Sequence, residues 1–126
     1  MQTSIPFAEG EYLIEKAFLV AHDNAAVSLE QGVIEVFEDN RGNRHVKGSA
    51  LVHTHLVVEL LEDDDRIDLI LDLGGEFKYR MNNPHLKGGK AFAPDVKSPI
   101  QFGPAATWEQ LPAATFDTLM TSLRVL

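Results

Sequence analysis

The sequence predicts an α+β protein in which an antiparallel β-meander of five or six strands, curled or partly closed into a barrel, is packed by one C-terminal α-helix. Apolar residues recur mostly with a period of two from residue 34 to residue 81, which is typical of strands with one buried face. Near the C-terminus the period changes to that of a helix. The 126 residues suffice for one core and not for two of ordinary size, so we expect a single domain, 1–126.

The first predicted hairpin covers residues 34–46. Gly42 supplies the left-handed conformation of a three-residue loop, 40–42. Centring the hairpin on Arg41 places one apolar pair and two pairs of opposite charge across the strands. These pairs are Val36 with Val46, Glu38 with Arg44, and Glu35 with Lys47.

Two further hairpins complete the predicted meander. Residues 52–60 and 67–73 alternate, and a turn centred on Asp63 and Asp64 would pair Leu60 with Ile67, Val58 with Leu69, and Leu56 with Leu71. A turn at residues 74–76 would then pair Leu73 with Phe77, Leu71 with Tyr79, and Leu69 with Met81, and would direct Lys78 and Arg80 to the other face.

Residues 82–106 contain four prolines and three glycines, and their density predicts a long loop with at most a short edge strand near residues 96–102. Such a loop is either functional or a plain connector. After it, Phe116, Leu119, Met120 and Leu123 form one apolar stripe, which predicts a helix over residues 112–124 packed on its own sheet.

The N-terminal part is less defined by its pattern. Residues 12–20 resemble a strand. Residues 25–37 fit either a strand or a helix that begins at Asp23 or Asn24, although Gly32 disfavours the helix.

The composition excludes several classes of partner and compartment. Nineteen acidic and eleven basic residues give a net charge of −8, which disfavours nucleic acid and anionic membranes. No apolar run approaches the roughly 18 residues of a membrane span, no secretory signal is recognisable, and cysteine is absent. We therefore expect a cytoplasmic protein.

The net charge conceals an uneven distribution. Residues 1–76 carry sixteen acidic and five basic residues, whereas residues 77–126 carry three acidic and six basic ones. One explanation is internal: Lys78 and Arg80 neutralise the acidic strand faces. The other is external: acidic hairpins attract a basic protein partner, and Glu62, Asp63, Asp64 and Asp65 form the recognition patch.

The most suggestive chemical group is His53-Thr54-His55. On a strand, histidines at this spacing share a face, and the predicted register places Asp72 across from His55. Two imidazoles and a carboxylate can bind zinc, iron or a small ligand. Alternatively, the carboxylate can orient one imidazole as a general base. The alternative is ordinary polar surface. A divalent metal is thus the one cofactor that the sequence suggests, and no cofactor at all is the other expectation.

Known catalytic motifs offer little support for an enzyme. The sequence has no Gly-x-Ser-x-Gly elbow, and residues 86–90 lack the spacing of a phosphate-binding loop. The leading hypothesis is a small acidic, non-enzymatic protein-binding module that serves as an accessory, inhibitor or assembly subunit. The alternatives are a metal- or ligand-binding domain, including an enzyme, built on His53, His55 and Asp72, and a homo-oligomeric structural subunit.

Overall fold

The computed structural model describes residues 8–63, 66–88, 97–104 and 108–126. In these ranges the chain forms a curled half-barrel, almost entirely antiparallel, with ten strands instead of the predicted five or six. The elements are β1 (Gly10–Leu13), β2 (Lys16–Val20), β3 (Ala25–Glu38), β4 (Arg44–His53), α1 (Thr54–Asp63), β5 (Asp68–Asp72), β6 (Lys78–Met81), β7 (His85–Gly88), β8 (Lys97–Gly103), β9 (Trp108–Gln110), α2 (Ala113–Ser122) and β10 (Arg124–Val125).

The long strand β3 belongs to both halves of the curl. Its first part pairs with β2 and β10, and its second part, from Val33 on, pairs with β1 and with most of β4. A bulge between Glu30 and Val33 separates the two parts, and Gln31 within it has a φ of 52°. Because bulges bend a strand and increase its twist, β3 carries the sheet around a corner.

Two halves of the sheet, the front sheet and the back sheet, meet at this corner. The front sheet contains β1, the second part of β3, β4, β8 and β7, in that order. The back sheet contains the first part of β3 with β10, β2, β5, β6 and β9.

The main core lies inside the curl, where alternate side chains of both sheets meet. Val57 and Leu60 of α1 belong to this apolar cluster. The other face of the back sheet is covered by α2, whose buried Phe116 packs with Val20, Ala26, Ile70 and Leu111. The apolar stripe of the C-terminal helix therefore packs on its own sheet, as predicted. The helix is shorter than expected because Leu123 leaves it and Arg124 begins β10.

Two of the predicted hairpins are confirmed in register. The first has all three predicted pairs, and Gly42 has a φ of 77° in its loop. The third pairs Leu69 with Met81 and Leu71 with Tyr79, and Leu73 N–H donates to the Phe77 carbonyl over 2.9 Å. In both hairpins, a tight turn and a clear alternation of apolar and polar residues determine the register within a short stretch of chain.

The second predicted hairpin is wrong, because residues 54–63 form α1 and not a strand. Residues 52–60 alternate as a strand would. Within the same segment, however, the apolar residues Leu56, Val57 and Leu60 also share one face of a helix. Val57 and Leu60 are 8% and 3% exposed, so burial in the core selects the helical period.

The predicted loop over residues 82–106 contains β7 and β8. Strand β8 confirms a strand near residues 96–102, but it lies between β4 and β7 and is not an edge strand. Ser98, Ile100 and Phe102 point into the protein, with exposures of 4%, 3% and 3%. Residues 89–96 and 105–106 of the predicted loop lie outside the described residues. Residues 25–37, whose pattern fits either a strand or a helix, belong to β3.

Candidate functional site

His53 and His55 lie at the junction of β4 and α1. His53 is the last residue of the strand and His55 is in the first turn of the helix. Their ring centroids are 5.8 Å apart in an edge-to-face arrangement. The Nδ1 atoms of both rings are buried and have no hydrogen-bond partner among the described residues. The two histidines are thus close together, but they lie on a strand–helix junction and not on one face of a strand.

Asp72 lies elsewhere in the sheet. In β5 it is opposite Lys16 and Lys78, and its Oδ1 accepts a hydrogen bond from Gly74 N–H over 2.8 Å. Its placement across from His55 depended on the hairpin that α1 replaces. No group of three or more histidine, aspartate or glutamate side chains within the described ranges is arranged to hold a metal ion.

The acidic segment proposed for partner binding lies only partly within the described residues. Glu62 and Asp63 end α1, and Asp64 and Asp65 are outside the described ranges. Neither helix in the described parts of the chain is long and apolar enough to cross a membrane.

The back sheet supports the internal explanation of the charge distribution. Asp68 and Asp72 are both 7% exposed, and each is paired across the sheet. Arg80 Nη2 lies 2.7 Å from Asp68 Oδ2, and Lys78 Nζ lies 3.5 Å from Asp72 Oδ1. Asn83 N–H also donates to Asp68 over 2.9 Å. A buried carboxylate needs such partners, so these basic residues serve the fold.

The outer face of the front sheet is a different kind of surface. The two described helices pack elsewhere, α1 in the main core and α2 on the back sheet. One row of cross-strand neighbours runs over all five strands of this face. The row consists of Leu13, Val33, Ser49, Gln101 and Lys87. Its first member, Leu13, is 81% exposed, which is unusual for a leucine in a sheet.

A cleft of about 450 Å³ crosses this face. Small residues at its centre, Ser49 and Gly103, leave space between longer side chains. Val33 contributes an apolar side chain, and Leu86 and Phe102, whose side chains pack in the main core, also line the cleft. The charged and polar side chains around them are Glu11, Glu35, Lys47, His85, Lys87 and Gln101. The volume is within the range of clefts that bind small molecules or peptide segments.

Among the described residues, some of the charged side chains around the cleft are ion-paired and others are not. Lys47 Nζ is 3.5 Å from Glu35 Oε1 and 5.5 Å from the centroid of the Phe37 ring. Glu11 on β1 and Lys87 on β7 have no ion-pair partner among the described residues. Within the described residues, the cleft therefore has an anion without a partner near one edge of the front sheet and a cation without a partner near the other.

The loop between β3 and β4 ends this face in an ordered turn. Asp39 Oδ1 accepts hydrogen bonds from Arg41 N–H and Asn43 N–H, and Asp39 Oδ2 lies 2.8 Å from His45 Nε2. The hydrogen bond with the His45 side chain, followed by the two backbone N–H groups, lowers the pKa of Asp39 to about 2. The His45 ring in turn stacks on Phe37, with centroids 5.4 Å apart.

No protein-family model, curated protein or solved structure matches the chain. The geometry of the described residues therefore defines the class of protein: a curled antiparallel half-barrel with a cleft on a sheet face that neither described helix covers.

Proposed function

We propose that this protein is a non-enzymatic protein-binding module that holds an extended segment of a partner protein in the front-sheet cleft. One observation carries the proposal: a sheet face that neither described helix covers has a cleft with the apolar side chain of Val33 inside it, and Glu11 and Lys87, which have no ion-pair partner among the described residues, lie at its two ends. Exposed apolar surface with a polar border is typical of interaction sites.

The spacing of the two charges specifies the partner segment. Glu11 and Lys87 are four strand spacings apart and offset by one pair of residues along the strands, which separates their backbones by about 20 Å. An extended chain covers that distance in about six residues. The segment therefore carries a cationic residue, apolar residues in its middle, and an anionic residue about six positions from the cation.

The net charge of −8 adds a longer-ranged effect. It favours encounter with a partner of positive net charge, at a rate that falls as salt is raised. The field therefore speeds association, whereas the two ends of the cleft select the segment.

Charge reversal at either end tests the proposal even while the partner is unidentified. Phage-displayed random peptides are selected on the wild-type protein, on Glu11→Lys and on Lys87→Glu. The wild type should enrich peptides with one cation and one anion about six positions apart. Glu11→Lys leaves two cationic ends and should select peptides with two acidic residues, and Lys87→Glu should select peptides with two basic residues.

Asp117→Lys is the matched control for Glu11→Lys, because it makes the same charge change on the exposed side of α2. It should select the same peptides as the wild type. Identical peptides from all four proteins, or no charge pair in the enriched set, would overturn the proposal. So would light scattering that shows a stable wild-type dimer lost in Glu11→Lys, because the face would then bind a second copy of the chain.

A further inference from the structure

We propose that His53 and His55 form a two-imidazole site for a divalent transition-metal ion of the zinc class, bound through Nδ1 of each ring. The proposal is independent of the front-sheet cleft. It rests on the distance between the two rings and on the two buried nitrogens that lack a partner among the described residues.

The ring distance is compatible with one shared ion. Zinc binds an imidazole nitrogen at about 2.0–2.1 Å, which puts the ion about 3.2 Å from the ring centroid. Two rings on one ion then have centroids roughly 5.2 Å apart at a tetrahedral angle and roughly 5.8 Å apart at an angle of about 130°. The observed centroid separation is 5.8 Å.

The unpartnered nitrogens supply a reason for binding. Both Nδ1 atoms are buried without a hydrogen-bond partner among the described residues. A buried polar atom in that state costs about 1–3 kcal/mol, and few are left so in folded proteins. A metal ion that accepts the lone pair of each Nδ1 removes both costs at once.

The surrounding elements hold the pair in place. His53 is fixed by pairing in β4, and His55 by the helix that buries Val57 and Leu60. The nearest cation in the register is Lys97, opposite His53, and its ammonium is ion-paired with Glu30. This pairing reduces the repulsion that Lys97 would exert on a bound cation.

Zinc titration by calorimetry, combined with ¹⁵N NMR of the imidazole rings, tests the site. We expect one Zn²⁺ per chain, with the Nδ1 resonances of His53 and His55 shifting together. His53→Gln and His55→Gln should each weaken binding by about tenfold or more. His22→Gln, at an exposed histidine, is the control and should leave the affinity unchanged.

Zinc that shifts the Nε2 resonances, or the rings of other histidines, would overturn the assignment. Unchanged affinity in the His53 variant would also overturn it. If either variant fails to fold, the ring spectrum of the wild-type protein decides the question alone.

Discussion

Replacing Gly48 with alanine tests how tightly the front sheet is packed against the main core. Gly48 lies opposite Phe102, and a Cβ atom at Gly48 would lie 2.2 Å from both Cε1 and Cζ of that ring. Phe102 is 3% exposed and belongs to the main core, so its ring cannot retreat into solvent. Overpacking of this kind costs about 1–3 kcal/mol. Removing a strand glycine normally gains about 0.5–1 kcal/mol. We therefore expect Gly48→Ala to destabilise the protein by about 1–2 kcal/mol.

A double-mutant cycle identifies the clash as the cause. Phe102→Leu shortens the ring and gives the new methyl group room, so the two substitutions together should cost less than their sum by about 1 kcal/mol. Urea denaturation followed by circular dichroism measures all three variants. Ser49→Ala, the neighbouring outward position, should change stability by less than about 0.5 kcal/mol. A Gly48→Ala protein as stable as the wild type, or strict additivity with Phe102→Leu, would refute the reasoning.

Two further predictions concern the turn and the C-terminal helix. Asp39→Asn removes a carboxylate whose pKa is lowered to about 2 from 3.8. The stability that this carboxylate adds is present above pH 3.8 and lost as the pH falls through about 2. Urea midpoints of the two proteins should thus differ at pH 6 and converge near pH 2; a difference that persists at pH 2 would contradict this. Phe116→Ala should cost about 3–5 kcal/mol and speed amide hydrogen exchange in α2, whereas Thr115→Ala, exposed one position earlier, should do neither.

The hairpins could be predicted because their determinants are local. In the first, a loop glycine and the pairs Glu35–Lys47 and Glu38–Arg44 all specify one register within a short segment. The helix over residues 54–63 could not be predicted, because its apolar residues fit both the period of a strand and the period of a helix. Only the core that receives Leu60 distinguishes the two periods, and that core is assembled from distant strands.

In the candidate sites, too, local features could be predicted and long-range ones could not. His53 and His55 are neighbours in the sequence, so their proximity could be predicted, whereas the partner proposed for them, Asp72, depended on a long-range register. The front-sheet cleft was missed entirely. Its ends, Glu11 and Lys87, are joined only through the pairing order of five strands, and β8, the fourth strand of that order, lies in a segment whose prolines and glycines predict a loop.

The continuous strand β3, with its bulge, couples the unfolding of the two sheets. Because a single continuous strand supplies hydrogen bonds to both sheets, opening either sheet along β3 removes support from the other. The two sheets are therefore expected to open as one cooperative unit, with β3 amides among the slowest to exchange with solvent. A partner that holds the front sheet closed would thereby slow the opening of the back sheet, at a distance from any residue it touches.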